Sequence, residues 1–517
     1  MDTILCTCSI KSRLLIPSLQ MFVSESCSWH VYDEDMARIT NFDSPFALPA
    51  ELQFSFTKEI EIFYTGGKHI CSSDLASFAE YVRKNWDKDE FFGYQFLNGL
   101  NPMMIQRCSK LPKNFPVTEE VVKGLLGKST LEAEIKKGNI FLCDYKMLDG
   151  VRGNVVNGEQ QFLTAPLVLL HLDHHGLMLP IAIQLGQTPG PENPIFLPTD
   201  SKHDWLLAKI CVRAAEYCVQ EVDFHLLRTH VLAEVFTLAT LRCLPSIHPL
   251  YKLLIPHTRY TLHINIMARN LLITEEGVFV RLLRRGTSSL TYSSLCLPEN
   301  ISERGLEDVP NYYYRDDGIQ LWNIIYRYVT GVLQHYYTSD EHVQKDTELQ
   351  SWIREIFTNG FLGRSNTGIP ESFQRMEDLL KFVTMVIFTV SAQHAALNNG
   401  QFDFGGWMPN YPTALRKPPP KEKGQTTMDT ILETLPNVST TVNSMAILKV
   451  LSINSTDHYP LGCFPEELFD EEVPCRCIKD FQEWLKLLSG RIEERNKTLK
   501  HPYTYLNPKN VDNSVTL

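Results

Sequence analysis

The chain is poor in the features that mark several large classes of protein. None of its apolar stretches reaches the ~18 residues of a membrane-spanning helix. Positive charge is short as well: 49 Lys and Arg stand against 60 Asp and Glu, a formal net charge of −11. That balance argues against a nucleic-acid partner and against a basic membrane-binding face, leaving at most peripheral membrane association. The thirteen cysteines are an odd number without a CxxC pair, and Cys6/Cys8 and Cys475/Cys477 are spaced too tightly for a zinc knuckle. Reduced thiols in a cytoplasmic setting are the expectation. Lys11 and Arg13 interrupt the mildly apolar residues 1–27, and no small-residue cleavage site follows, so no signal peptide is read there. No internal repeat is visible.

What remains is an ordinary globular composition, 44% hydrophobic and 21% charged, in 517 residues. The segment that organises it is 205–279, and its centre is His225-Leu-Leu-Arg-Thr-His230. Five residues of regular α-helix turn by about 500°, which leaves the two imidazoles roughly 140° apart and unable to share a metal. If one turn widens to the i→i+5 form, both rings come onto one face. Either reading fits the spacing: one buried and one solvated histidine, or two ligands.

Residues 381–398, KFVTMVIFTVSAQHAALN, are apolar nearly all round, too short and too polar at the end for a membrane span, and read as a core helix. They place His394 and Asn398 about 40° apart on one face. A buried imidazole and a buried amide need partners, which neighbouring turns or a shared metal ion can provide.

The rest of the pattern is helical with one β interlude. Helix period is read in 73–138, with Gly138 as a stop, and strand character in 139–186. Further helices are expected over 318–337, 344–358 and 464–497, around a proline-rich loop at 410–428. The HLDHHG stretch with His171, His174 and His175 sits at a strand-to-turn junction, where solvated side chains are the expectation. The fold class is therefore mainly α: a large helical catalytic domain over 28–517 with a small β-sheet subdomain, and 1–27 unassigned.

Several longer motifs give this pattern a family. WLLAK, HLLRTH, RCLPSIHPLYKLLIPHTRYTL, SAQHAALNNGQFDFGGWMPN and the closing NPKNVDNSVTL resemble the animal lipoxygenases. FFGYQFLNGLNP, NPIFLPTD, LTYSSLC and YYYRDDG extend the resemblance over roughly 28–517. It implies one non-haem iron held by His225, His230, His394, Asn398 and the terminal carboxylate of Leu517. Glu221 and Gln401 fall where the family places groups that orient the ligands. Tyr217, Leu226, Ala268, Leu272, Ile447 and Leu451 fall along the fatty-acid pocket. Alanine at 268 goes with S-configured products, and the bulk of Ile447 with a shallower pocket. Arg269 is a candidate tether for the substrate carboxylate.

The implied activity is insertion of O₂ into the 1,4-pentadiene unit of a polyunsaturated fatty acid. Isomerisation of fatty-acid hydroperoxides, or an inactive truncated form, are the alternatives. Two departures from the family stand out. A PLAT-type β-sandwich of ~100 residues has no room before Trp29-His-Val-Tyr-Asp33, so its calcium-dependent membrane recruitment is in doubt. Only Val280 and Arg281 separate Gly277-Val-Phe279 from Leu282-Leu-Arg-Arg285, where the family carries a longer glycine-rich segment. The expectation is that fold and iron site survive this loss while positional specificity changes.

Overall fold

The computed structural model describes residues 27–67, 77–273, 277–452, 456–466 and 468–517, with the side chains of 63–67 and 271–272 outside the description. Residues 1–26 of the segment left unassigned above therefore lie outside it, as does the side chain of Leu272.

The β interlude is a five-stranded antiparallel sheet in the order Gln106–Arg107, Ile140–Asp144, Leu167–Leu172, Met178–Gln184, Ile195–Phe196. Its central strands are continuous apolar runs, because both faces are covered. Ile140, Leu142, Leu167 and Leu169 face a small cluster with Phe115, Val122 and Leu131, while Phe141, Cys143, Val168 and Leu170 face the main core. The pairs Phe141↔Leu170 and Leu142↔Leu169 keep the alternation in step.

Helices make up the body. Gly138 ends the helix Leu131–Lys137 with φ +77°, as its position suggests. Residues 118–130, read as helical from their period, instead form turns, with Gly124 and Gly127 both at positive φ. A helix at Asp89–Asn98 falls within the stretch of helix period and packs on the sheet with Gly93 against the backbone of Met178. Farther on, Tyr313–Tyr336, Thr347–Glu355 and Glu472–Asn496 fall where amphipathic period places them.

Two helices run through the centre, and each changes pitch at its functional residue. Lys202–Val219 passes into a π-helix at Gln220–Val231 and then into Leu232–Cys243. Met376–Phe388 passes through a π-turn at Thr389–Gln393 into His394–Asn398. The latter run continues to Gly405, longer than the apolar stretch alone suggests. Its 30 residues are long and apolar enough to cross a membrane, yet 94% of its most apolar window is buried inside the protein. It is a core helix, and the core supplies the surroundings a bilayer would.

The residues on either side of Phe279 form one helix, Val278–Ser289, with Val280, Leu282 and Leu283 buried. This helix packs on the π-helix so closely that Gly286 leaves no room for a side chain: a Cβ there would stand 2.3 Å from Asp223 Oδ1 and 2.6 Å from Leu227 Cδ2.

Candidate metal centre

The wide turn of Gln220–Val231 does what an α-helix cannot, bringing residues five apart onto one face. The rings of His225 and His230 stand edge to face with centroids 4.7 Å apart, and their Nε2 atoms are 3.2 Å apart. From the second central helix, His394 brings its Nε2 to 3.3 Å from that of His230. The carbonyl oxygen of Leu517 lies 3.1 Å from the same atom, at a residue only 4% exposed. All three histidines are buried.

The outer nitrogens fix the tautomers. His225 Nδ1 faces Glu221 Oε2 at 3.2 Å, and His230 Nδ1 faces Asn265 Oδ1 at 2.9 Å. Asn265 donates its amide hydrogens to His230 O and Glu234 Oε2, so its oxygen is the atom turned to the ring. Both Nδ1 atoms therefore carry hydrogen, and both Nε2 lone pairs point inward. Burial, with His225 beside it, pushes His230 down to about 3. Burial pushes His394 well below its ordinary value too, with His230 and His225 adding to it.

With His225 and His230 neutral and protonated at Nδ1, the single hydrogen His394 Nε2 can offer leaves His225 Nε2 without a donor, whereas a cation at their centre satisfies all four inward atoms. Two ligand atoms about 2.1 Å from one ion stand roughly 3.0 Å apart at a right angle and roughly 3.4 Å apart at the tetrahedral angle. The observed 3.2 and 3.3 Å fall between. The residues fit a metal ion.

Asn398, one helical turn past His394, is buried at the same site but engaged elsewhere. Its Nδ2 donates to Leu451 O at 2.9 Å, and its Oδ1 accepts from Gln401 Nε2 at 2.7 Å. Gln401 is fully buried, and this hydrogen bond fixes the Asn398 amide with its oxygen toward Gln401. One oxygen of each orienting group, Glu221 Oε1 and Gln401 Oε1, is buried without a partner. Gln220 ties the two central helices together by donating to Leu397 O at 2.9 Å.

The residues assigned to a pocket are spread more widely. Tyr217 meets Tyr411 edge to face at 5.1 Å and, with Glu221, Val222, Val278 and Phe279, lines a cavity of about 130 Å³. Leu226 is buried, Ala268 and Leu451 are half-buried, and Ile447 is 46% exposed on the helix Val438–Leu451. Arg269 is held by the buried Glu234, Nη1 to Oε2 at 2.7 Å, while its Nη2 is buried without a partner. That pairing completes a line from Arg269 through Glu234 and Asn265 to His230. Sequence reasoning missed Asn265 and Glu234. The signal was present as an amide in the apolar helix TLHINIM, which has to find a partner when buried. His174 and His175 are exposed at the turn after Leu167–Leu172, and His171 is paired with Glu134 at 3.3 Å.

A mainly helical body carrying three inward histidines on two pitch-changed helices defines one class. The chain belongs to the lipoxygenase family, whose sequence model matches residues 31–504, and it is an enzyme of that family. It is 52% identical over 452 residues to the polyunsaturated fatty acid lipoxygenase ALOX15B of Homo sapiens, covering 85% of this chain and 67% of that one. To the lipoxygenase ALOX8 of Mus musculus it is 45% identical, covering 95% and 78%. The hydroperoxide isomerase ALOXE3 of Mus musculus is 48% identical, over 85% of this chain and 63% of its own length. Among solved structures, a calcium-dependent 11R-lipoxygenase superimposes with a TM-score of 0.90 at 33% identity, covering 98% of this chain and 80% of that one.

Proposed function

We propose that the chain is a non-haem iron dioxygenase that converts polyunsaturated fatty acids to hydroperoxides. The observation that carries this reading is the convergence of three imidazoles and the Leu517 oxygen on one buried point. His225, His230 and His394 would hold the ion with Leu517, and Asn398 would join them by turning its oxygen from Gln401. Iron bound there supplies the one-electron oxidant for removing a hydrogen atom from a doubly allylic CH₂, after which the pentadienyl radical takes O₂.

The protein's own part is positional. Glu221 and Asn265 keep the Nδ1 protons on their acceptors, so that the Nε2 lone pairs stay aimed. The apolar core around Leu226 keeps water out. Ligand sites measure about 300 Å³ or more, so the 130 Å³ cavity beside Glu221 admits an acyl chain only if Phe279 or Tyr217 swings aside. Positional specificity would then be set in part by Phe279, which stands where the chain is shortened, together with Ala268, Leu272, Ile447 and Leu451. A cytoplasmic setting is part of the same proposal, supported by the free thiols of Cys108, Cys143, Cys211, Cys218 and Cys296 in the core.

A second reading, hydroperoxide isomerisation, is favoured by the 48% identity to ALOXE3. One experiment decides between them: iron analysis, O₂ uptake and conjugated-diene absorbance with linoleate and arachidonate, then with their hydroperoxides. One iron per chain with O₂ consumption supports the dioxygenase. Iron with hydroperoxide consumption and no O₂ uptake supports the isomerase, and a chain that holds no iron sinks both. The variant Phe279→Ala is expected to change the ratio of positional isomers, and an unchanged ratio removes Phe279 from the pocket.

A further inference from the structure

The Leu517 oxygen reaches the histidines because the last residues are laced into the fold. Pro460 and Asp512 form an antiparallel bridge, flanked by Leu461 N to Val511 O at 2.7 Å and Asn513 N to Tyr459 O at 3.0 Å. The Asn513 side chain accepts from Gly462 N and donates to Cys463 O. On the other side, His257 Nδ1 donates to Asn513 O at 2.7 Å, and Ser514 Oγ to Arg259 O at 2.9 Å.

One side chain closes this clasp from outside. His458 Nδ1 lies 2.5 Å from Asp512 Oδ1, and its Nε2 lies 3.1 Å from Lys509 O. Both partners accept, so both ring nitrogens donate, and the ring that makes both bonds is the imidazolium. Asp512 in turn accepts from Thr516 Oγ1 at 3.0 Å, next to the last residue.

We propose that His458, by bridging Asp512 and Lys509 as an imidazolium, is a positioning residue that holds the terminal segment and so the Leu517 oxygen at the metal centre, which makes metal retention depend on pH. The inference rests on the metal reading above. The charges that face His458 are Asp512, which raises its pKa above the ordinary 6.5, and Lys58 of the helix Phe56–Gly67, which lowers it less. Asp457, next in the chain, is engaged with Tyr260 and Arg259. A histidine raised in the folded state contributes fully below its ordinary value, and the contribution is lost as pH rises through the folded value. The clasp therefore holds fully below the ordinary value and loosens as pH rises through the raised one. The pair is partly exposed, at 17% and 25%, so the effect is modest.

The test compares the iron-loaded full chain with H458Q, which cannot be charged, and H458R, which is always charged. Loss of iron to a ferrous chelator is followed at pH 6.5 and pH 8.5. Wild type is expected to lose iron about threefold to fivefold faster at the higher pH, H458Q to be fast at both, and H458R slow at both. H458Q retaining the wild-type pH dependence, or H458R behaving as H458Q, overturns the proposal. Release of the terminal residues by carboxypeptidase, at the same two pH values on the same proteins, reads the clasp without iron. If no variant holds iron but carboxypeptidase gives the expected order, the metal reading fails and the clasp stands. Equal release from all three proteins rejects the clasp, whatever the iron does.

Discussion

Among the described residues two groups of side chains are close enough to hold a metal ion, and they differ in burial and in support. Asp173, His174 and His175 share one tight turn, with ligand atoms near enough for a metal ion, as do His225, His230 and His394. At the turn the Asp173 carboxylate is occupied by the backbone amides of His175 and Leu177, and both imidazoles stand in solvent. In the core, a carboxylate and an amide hold the outer nitrogen of two of the rings, and water is excluded. Proximity of ligand atoms is therefore the lesser part of a metal site. Rings held rigidly in one tautomer, with their lone pairs desolvated, make the site bind before the ion arrives.

The largest effect expected to sharpen this contrast comes from His394→Ala. It should abolish bound iron and lower diene formation by roughly 10³-fold or more, measured by elemental analysis and absorbance. Retention of one iron per chain would place the metal elsewhere. Next is Asn265→Ala, which leaves every proposed ligand in place and frees His230 Nδ1. Metal affinity should fall by about 10–100-fold in a chelator competition, and an unchanged affinity would mean that the aim of His230 is set by the helix alone. Gly286→Ala presses a methyl group on Asp223 and Leu227 behind the buried rings. It should cost about 1–3 kcal/mol of stability, read by calorimetry or urea unfolding. The smallest effect is expected from the double change His174→Ala, His175→Ala. Stability should stay within about 0.5 kcal/mol and iron content should not change; lost iron would erase the distinction between the clusters.

Much of this architecture is legible in the sequence, for reasons that vary by element. The strands at 140–144 and 167–172 announce themselves because burial on both faces demands unbroken apolar runs. His225 and His230 are legible as a pair only through the wide turn, which their five-residue spacing requires if they are to meet. Helix period misleads at 118–130, where Gly124 and Gly127 take left-handed conformations and the chain folds into turns. The amphipathic pattern there reflects packing of Val122 and Leu126 on the sheet. Arg269 shows the other limit. Nothing local to 269 reveals that Glu234, thirty-five residues earlier, pairs with its Nη1, or that its Nη2 is buried without a partner. Partners brought together by the fold have no period, so Glu234 and the His458–Asp512 pair emerge only from coordinates, and Asn265 shows in the sequence only as an amide in an apolar helix.

The twelve residues of wide-turn helix at Gln220–Val231 carry a constraint of their own. A substitution there changes one contact, whereas losing or gaining a single residue would reset the winding and swing Leu232–Cys243 and all that follows it around the axis. The number of residues in this stretch is therefore as much a part of the site as His225 and His230 themselves. The junction at 280–281 lies inside the regular helix Val278–Ser289 and carries no such wide turn.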